Sequence, residues 1–258
     1  MRHNGFVRGI SDAFTNGYLS SGAEDVHVHT LACDDADQSA VQALADARAR
    51  GLRLVCFTAH VRESTPGAHV DAYLDSIREA AEQFPDIDVR RSIETKIMNT
   101  DGDLDVPLDF DLDKLDAVHV SDHRFPLSVP LAPEAVADML ASGELSTADA
   151  WSALLDATRN AVARYPGSIV AHPLSIIPKV GLQVDDVPAG FGDALAVELL
   201  RNDAVMEINN KWSCPGIGLI REVHARGVPI VAASDAHHVG ETGESAYLDQ
   251  IRPRLGAG

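Results

Sequence analysis

The sequence predicts an α/β fold of the barrel type, and three observations carry that expectation. Short β-rich runs alternate with helical patterns from about Asp25 to the end of the 258 residues. Several runs are almost wholly apolar, as in VCFTA (55–59), SIVA (168–171) and PIVAA (229–233), which fits parallel strands covered on both faces. Polar, chemically active side chains gather just where these runs end, the face that carries active sites in α/β barrels. An open doubly wound sheet is the alternative.

Seven strands are expected, over 25–30, 53–59, 87–94, 116–121, 168–171, 204–208 and 229–233. Parallel neighbours need helical crossovers, and three helices are readable. The first covers 39–50, carries Val41, Leu44 and Ala45, and stops at Gly51, a residue suited to a helix end. The second begins at Ser146 with Asp149 three residues on, presents Trp151, Leu154, Leu155 and Val162, and ends at Pro166-Gly167. The third repeats the pattern through Ile217, Ile220 and Val223 before Gly227. The stretch 121–146 reads as one long loop on the functional face. Residues 1–24 read as an N-terminal extension and 25–258 as a single barrel domain.

Composition narrows the partners. A formal charge of −18 repels phosphate backbones, so duplex nucleic acid and anionic membranes are poor partners. The three cysteines, Cys33, Cys56 and Cys214, form no CxxC pair, which points to a reducing compartment rather than a disulfide framework. No apolar run reaches the roughly 18 residues of a membrane span, and the first residues lack the apolar stretch of a signal peptide. A cytoplasmic protein is expected.

Six of the eleven histidines fall at predicted strand ends. In DVHVHT, His27 and His29 are two apart and project into one space, with Asp25 in register behind them. Two imidazoles on one strand form a ready chelate for a transition metal. SDAHH repeats the spacing with Asp235 and His237, and IVAHP puts His172 before a proline that keeps it extended. FTAH adds His60, SIET adds Glu94 and VSDHRF adds His123. One such motif is weak; all of them on one rim mark a metal site. His119 shares parity with His123 and is expected one layer below the ligands. His3, His69, His224 and His238 fit no pattern, and His224 is expected on a helix surface. The glycine pairs 190/192 and 216/218 lack the third glycine of a dinucleotide loop.

The order and wording of these motifs, DVHVHTLACDD, GLRLVCFTAH, SIE, VHVSDH, VAHP, MEIN and ASDAHHVGETG, resemble the polymerase-and-histidinol-phosphatase (PHP) superfamily, and its stand-alone histidinol-phosphatase-like members most closely. The resemblance covers roughly 25–243 and implies a distorted seven-stranded TIM-like barrel. It implies two to three divalent transition-metal ions (zinc, manganese or iron). One would be held by His27, His29, Glu94 and Asp235; a second by Glu94 as a bridge with His123 and His172; a third by Asp35, His60 and His237. This chain has Asp35 where many members have histidine, and Ala59 where the family commonly has aspartate before His60. An oxygen donor at Asp35 favours manganese or iron, and the missing carboxylate removes a group that would orient His60.

The implied activity is hydrolysis of a phosphate monoester of a small metabolite. Arg124, Lys179 and Lys211 follow strands on the same rim and are expected to bind the phosphate, while Asp235 or His237 is expected to protonate the leaving oxygen. Rival readings are a metal-dependent hydrolase of a non-phosphate substrate, and a phosphodiesterase or nuclease, which the acidic balance disfavours.

Overall fold

The computed structural model describes residues 19–107 and 110–255. Residues 1–18 of the expected extension, His3 among them, lie outside the described residues. Seven parallel strands form one sheet, in the order of the chain: β1 (Glu24–Val28), β2 (Leu54–Phe57), β3 (Asp88–Lys96), β4 (Ala117–Ser121), then β7 (Ile169–Val170), β8 (Val205–Asn209) and β9 (Ile230–Ala233). The sheet curls until β1 meets β9, giving a nearly closed TIM-like barrel. Helices α1 (Ala40–Ala49), α2 (Gly67–Ala81), α4 (Thr147–Arg164), α5 (Phe191–Arg201) and α6 (Ile217–Ala225) cross between strands, and α7 (Ala246–Leu255) follows the last.

The seam between β1 and β9 is closed by isolated contacts instead of a regular ladder. The Ser20 amide donates to the Ile230 carbonyl at 2.8 Å, and the His29 amide to the Ala236 carbonyl at 2.9 Å. Between them the buried Asp25 carboxylate accepts from the Ser234 amide (2.9 Å), the Ser234 hydroxyl (2.5 Å) and the Gly243 amide (2.7 Å). A register shift between Asp25 and Val28 disturbs the simple alternation that would line Asp25 up with His27. Val26 instead joins an interior apolar layer with Cys56, Ala117, Ile169, Val205 and Val231. His27 and His29 occupy the level above it. The larger apolar core lies outside the barrel wall, between strands and helices, around Phe57, Tyr73, Ile77, Trp151 and Leu195.

Three expectations need correction. The stretch 121–146 is not one loop. It contains a short antiparallel pair, β5 (Phe125–Pro126) with β6 (Pro130–Leu131), and helix α3 (Pro133–Ser142), which starts with proline in its first turn, where a missing N–H costs nothing. On α1 the buried face is Ala40, Ala43, Leu44 and Ala47, while Val41 is exposed. Helical period, not side-chain size, sets that face. The cap at Ser146, which accepts from the Asp149 amide, forms as read. His224 is half-buried, not fully on the surface.

Candidate metal centre

Every strand of the barrel except β8 ends at an expected ligand. His27 and His29 stand at the end of β1, His60 lies past β2 and Glu94 lies on β3. His123 follows β4, His172 follows β7, and Asp235 and His237 follow β9. Asp35 arrives from the turn after β1. Parallel strands deliver their C-terminal ends to one rim, so residues more than 200 positions apart converge there.

Glu94 sits at the centre, 2% exposed. Its Oε2 faces His60 Nδ1 at 3.1 Å, His27 Nε2 at 3.5 Å and His29 Nε2 at 3.6 Å. Its Oε1 faces His172 Nε2 at 2.8 Å and His123 Nε2 at 3.1 Å. The two oxygens therefore address two separate groups of imidazoles. Asp235 Oδ1 closes the first group, 3.5 Å from His29 Nε2 and 3.9 Å from His27 Nε2. Asp35 Oδ2 lies between two rings at the mouth, 3.5 Å from both His60 Nε2 and His237 Nε2. All nine expected ligands are thus in one cluster, and the geometry gathers several groups of three or more that can hold a metal ion.

The rings are turned for this task. His27 Nδ1 is 3.0 Å from Glu207 Oε2, His29 Nδ1 is 3.3 Å from Cys33 Sγ, and His172 Nδ1 is 3.1 Å from Ser175 Oγ. With those nitrogens occupied, the opposite Nε2 atoms converge in pairs: His27 with His29 at 3.0 Å and His123 with His172 at 3.1 Å. Facing lone pairs at such distances repel unless a proton or cation lies between them. The donor set of imidazole and carboxylate suits borderline divalent metals, and the residues fit the implied ions. Two ligands also carry a backbone conformation that non-glycine residues rarely adopt, Asp235 at φ 58° and His172 at φ 29°, the latter in place of the extended backbone expected before Pro173, as functional sites often do.

The electrostatics follow from burial and crowding. Burial alone would raise the Glu94 carboxyl, but His123, His27 and His172 around it hold it well below the ordinary value. Asp235 is likewise depressed, against its burial, by His27, His29 and His172. Burial drives His29 down to about 3, with His27 and His60 adding to the effect against Asp235 and Glu94. His172, although burial opposes it, is lifted to about 10 by Asp122 and Glu94. Acids held ionised by the imidazoles around them, and imidazoles lifted by those acids, as His27 and His172 are, make a centre where a cation can take the place of the shared protons.

His119 stands one layer below, as alternation expects. It is buried, with Nδ1 2.8 Å from Ser92 Oγ and Nε2 2.8 Å from the Val26 carbonyl oxygen. Burial and the neighbouring His27 push it down to about 3, so it packs as a neutral ring. Three neighbours of the ligands escape sequence reasoning: Cys33, Asp122 and Glu207. Asp122 accepts from Ser175 Oγ at 2.9 Å and lies 3.5 Å from His172 Nδ1. It adjoins His123 in the VSDHRF motif, and Glu207 lies inside MEIN, so parity along each strand was the available signal.

Comparison with proteins of known sequence and structure places this architecture. No protein-family profile matches the chain. It is 31% identical over 99 residues to a probable phosphatase of Caldanaerobacter subterraneus subsp. tengcongensis, covering 38% of each chain. A probable phosphatase of Vibrio atlanticus is 31% identical over 124 residues, 47% of this chain and 49% of the relative. The matches therefore span less than half the length of these curated relatives. The crystal structure of histidinol phosphate phosphatase from Lactococcus lactis subsp. lactis, complexed with zinc, L-histidinol and phosphate, superposes with a TM-score of 0.61 at 17% identity, over 92% of this chain and 93% of that one. The two share a fold over nearly their whole length.

Two cavities open on either side of the cluster in this barrel. One, of about 250 Å³, is lined by Asp35, Asn210, Lys211, Asp235 and His237. The other, of about 230 Å³, is lined by His60, Arg62, Glu94, Lys96, His123 and Arg124. Of the three expected phosphate-binding cations, Lys211 enters the first, its Nζ 3.1 Å from His237 Nδ1 and 3.8 Å from Asp235 Oδ1. Arg124 enters the second. Lys179 lines neither; its Nζ lies 3.9 Å above the Trp212 ring. Arg62 and Lys96 are additional cations that the sequence reading did not name.

Proposed function

We propose that the chain is a metal-dependent phosphoesterase that hydrolyses a phosphate monoester of a small metabolite, using two to three divalent transition-metal ions. The observation that supports it most is Glu94, whose two oxygens each face a different set of histidines, as a carboxylate shared between two metal positions must. His27, His29, Glu94 and Asp235 would hold one ion, Glu94, His123 and His172 a second, and Asp35, His60 and His237 a third. Zinc, manganese and iron all suit these donors. Such ions, when bound, supply Lewis-acid charge to phosphoryl oxygens.

The chain's own residues then have separate tasks. Lys211 and Arg124 project from opposite cavities toward the cluster and grip the anionic oxygens by charge-assisted hydrogen bonds. Asp235 Oδ1 lies 3.5 Å from His237 Nδ1, and together with Lys211 they make this end the place where a proton reaches the leaving oxygen. The curated relatives described as phosphatases support the substrate class, and the neighbour's complex with histidinol and phosphate supports a small phosphorylated alcohol. The acidic chain and its cavities of a few hundred Å³ favour a small ester over a long polyanion. Three buried, unpaired cysteines support a cytoplasmic setting, and among the described residues no helix is long and apolar enough to cross a membrane.

The test is a panel of phosphorylated metabolites, beginning with histidinol phosphate, assayed for released phosphate with zinc, manganese or iron added singly. Metal-dependent turnover of at least one monoester is expected. A metal-loaded protein inert toward every ester in the panel would overturn the reading.

A further inference from the structure

Strand β8 alone ends at no expected ligand, yet it turns two polar side chains inward, Glu207 and Asn209, both fully buried. They are two apart on one strand and so share a face. Glu207 Oε2 lies 3.0 Å from His27 Nδ1. Its Oε1 accepts the backbone N–H of His172 in a short hydrogen bond and the Asn209 side-chain amide at 2.9 Å. The same Asn209 amide reaches Asp235 Oδ2 at 3.3 Å, and Asn209 Oδ1 accepts the Trp212 amide at 2.9 Å.

We infer that Glu207, braced by Asn209, is a positioning residue that prepares the ligands of two metal positions at once. By accepting the proton on His27 Nδ1 it fixes the tautomer whose Nε2 lone pair points at Glu94 and Asp235, and it raises the basicity of that ring. By holding the His172 amide it pins the left-handed backbone, φ 29°, that aims His172 at the other oxygen of Glu94. No ligand of the outer position, Asp35, His60 or His237, is among its hydrogen-bond partners. The strand without a ligand is therefore the one that couples two sites. The metal positions themselves rest on the proposed function.

Glu207→Gln is the sharpest variant, since its amide keeps one acceptor but turns a donor toward a second partner that also donates. Purified protein is stripped of metal, and zinc affinity is measured by competition with a chromophoric chelator. A loss of about 10- to 100-fold is expected at the two deeper positions, with the outermost unchanged. The imidazole proton on His27 Nδ1, read by ¹⁵N–¹H spectroscopy of the zinc-loaded protein, should shift or vanish. Glu198→Gln, which alters a buried carboxylate remote from the cluster, should change neither reading. If Glu207→Gln fails to fold, Asn209→Ala, which unbraces the carboxylate without removing it, should weaken the same two positions by a smaller factor. A folded Glu207→Gln with wild-type zinc affinity and an unmoved His27 resonance would overturn the inference; so would a folded Asn209→Ala with unchanged affinity where Glu207→Gln cannot be made. Because these readings need no substrate, a protein that binds zinc but cleaves no ester would defeat the proposed reaction and leave the role of Glu207 standing.

Discussion

The deep half of the cluster and its outer half are built differently. His27, His29, Glu94, His172 and Asp235 are all below 5% exposed. Their rings are held from behind by Glu207, Cys33 and Ser175, and two of the five carry strained backbone. At the outer position, Asp35 and His60 have side chains 60% and 25% exposed. Asp35 meets His60 and His237 at 3.5 Å, longer than a hydrogen bond needs. A buried donor set has already lost its water and its freedom to rotate, so a cation meets prepared ligands. An exposed set must be ordered by the cation itself, at an entropic cost. The difference teaches that burial and support from behind, rather than ligand count, should rank the positions by affinity.

The largest effect should come from breaking the group that the two deep positions share. Glu94→Gln leaves the shape nearly intact but replaces a charge with an amide that cannot serve two cations. Turnover is expected to fall to background, and bound metal, read by elemental analysis, to below one ion per chain. Retention of two or more ions would show that Glu94 is not the bridge.

Removing the metals should sharpen the ranking. A chelator titrated into the loaded protein is expected to remove one ion first, at low concentration, and the remainder later. Asp35→Ala should delete the early phase only. Each ion present at a hundredfold excess over its Kd stabilises the fold by about 2.7 kcal/mol, roughly 5–10 °C in Tm for a chain of this size. The late phase should therefore carry most of the fall in melting temperature. A single-phase release, unchanged in Asp35→Ala, would erase the distinction between the halves.

The deep half was also the more legible in sequence. HxH and DAH put two ligands close together at a strand end, a proximity that holds even though β1 shifts register and Asp235 lies past β9 in left-handed backbone. The supports from behind were not legible, because Glu207 and Asp122 look like ordinary acids until their partners, 180 and 53 positions away, are known. Alternation also failed locally at Asp25, where the register shift in β1 redirects the side chain toward Ser234 and Gly243. Among the helices, α5 hides behind Gly190 and Gly192, residues that read as loop. Gly192 is tolerated there because α6 packs so close that a Cβ would lie 2.4 Å from Glu222 Oε2. Helix α3, set between Pro130 and Gly143, is masked in the same way, and α7 contains Pro253. At Gly192 tertiary packing overrides a residue of low helix preference, whereas Pro133 and Gly143 sit at the two ends of α3, where such residues are favoured.

A smaller effect separates substrate grip from metal assembly. Lys211 enters the cavity beside His237, and Lys211→Ala should remove a charge-assisted hydrogen bond worth about 1.5–3 kcal/mol. That is about ten- to a hundred-fold in kcat/KM on the best phosphate ester, with metal content unchanged. A loss of metal together with activity would instead make Lys211 part of the metal assembly. Arg124→Ala tests the opposite cavity by the same measurement, and a loss within that range is expected.

The smallest effect is expected at Lys179, which the sequence grouped with those two cations. Its ammonium is engaged by the face of Trp212, whose ring centre lies 6.3 Å from that of His172. Trp212 is 40% exposed, so the contact belongs to the class of exposed cation–π pairs, worth about 0.5–1 kcal/mol. Lys179→Ala should therefore cost a few degrees of Tm at most and leave kcat/KM within a few-fold of wild type. Lys179→Arg, which stacks on an indole at least as well, should restore the stability without altering kinetics. The pairing of these outcomes is what distinguishes the two roles: a residue that grips phosphate loses turnover when truncated and keeps its melting temperature, whereas one that covers Trp212 does the reverse. A ten-fold or greater loss of kcat/KM in Lys179→Ala, with unchanged stability, would return Lys179 to the substrate and require the Trp212 side of the rim to open during binding.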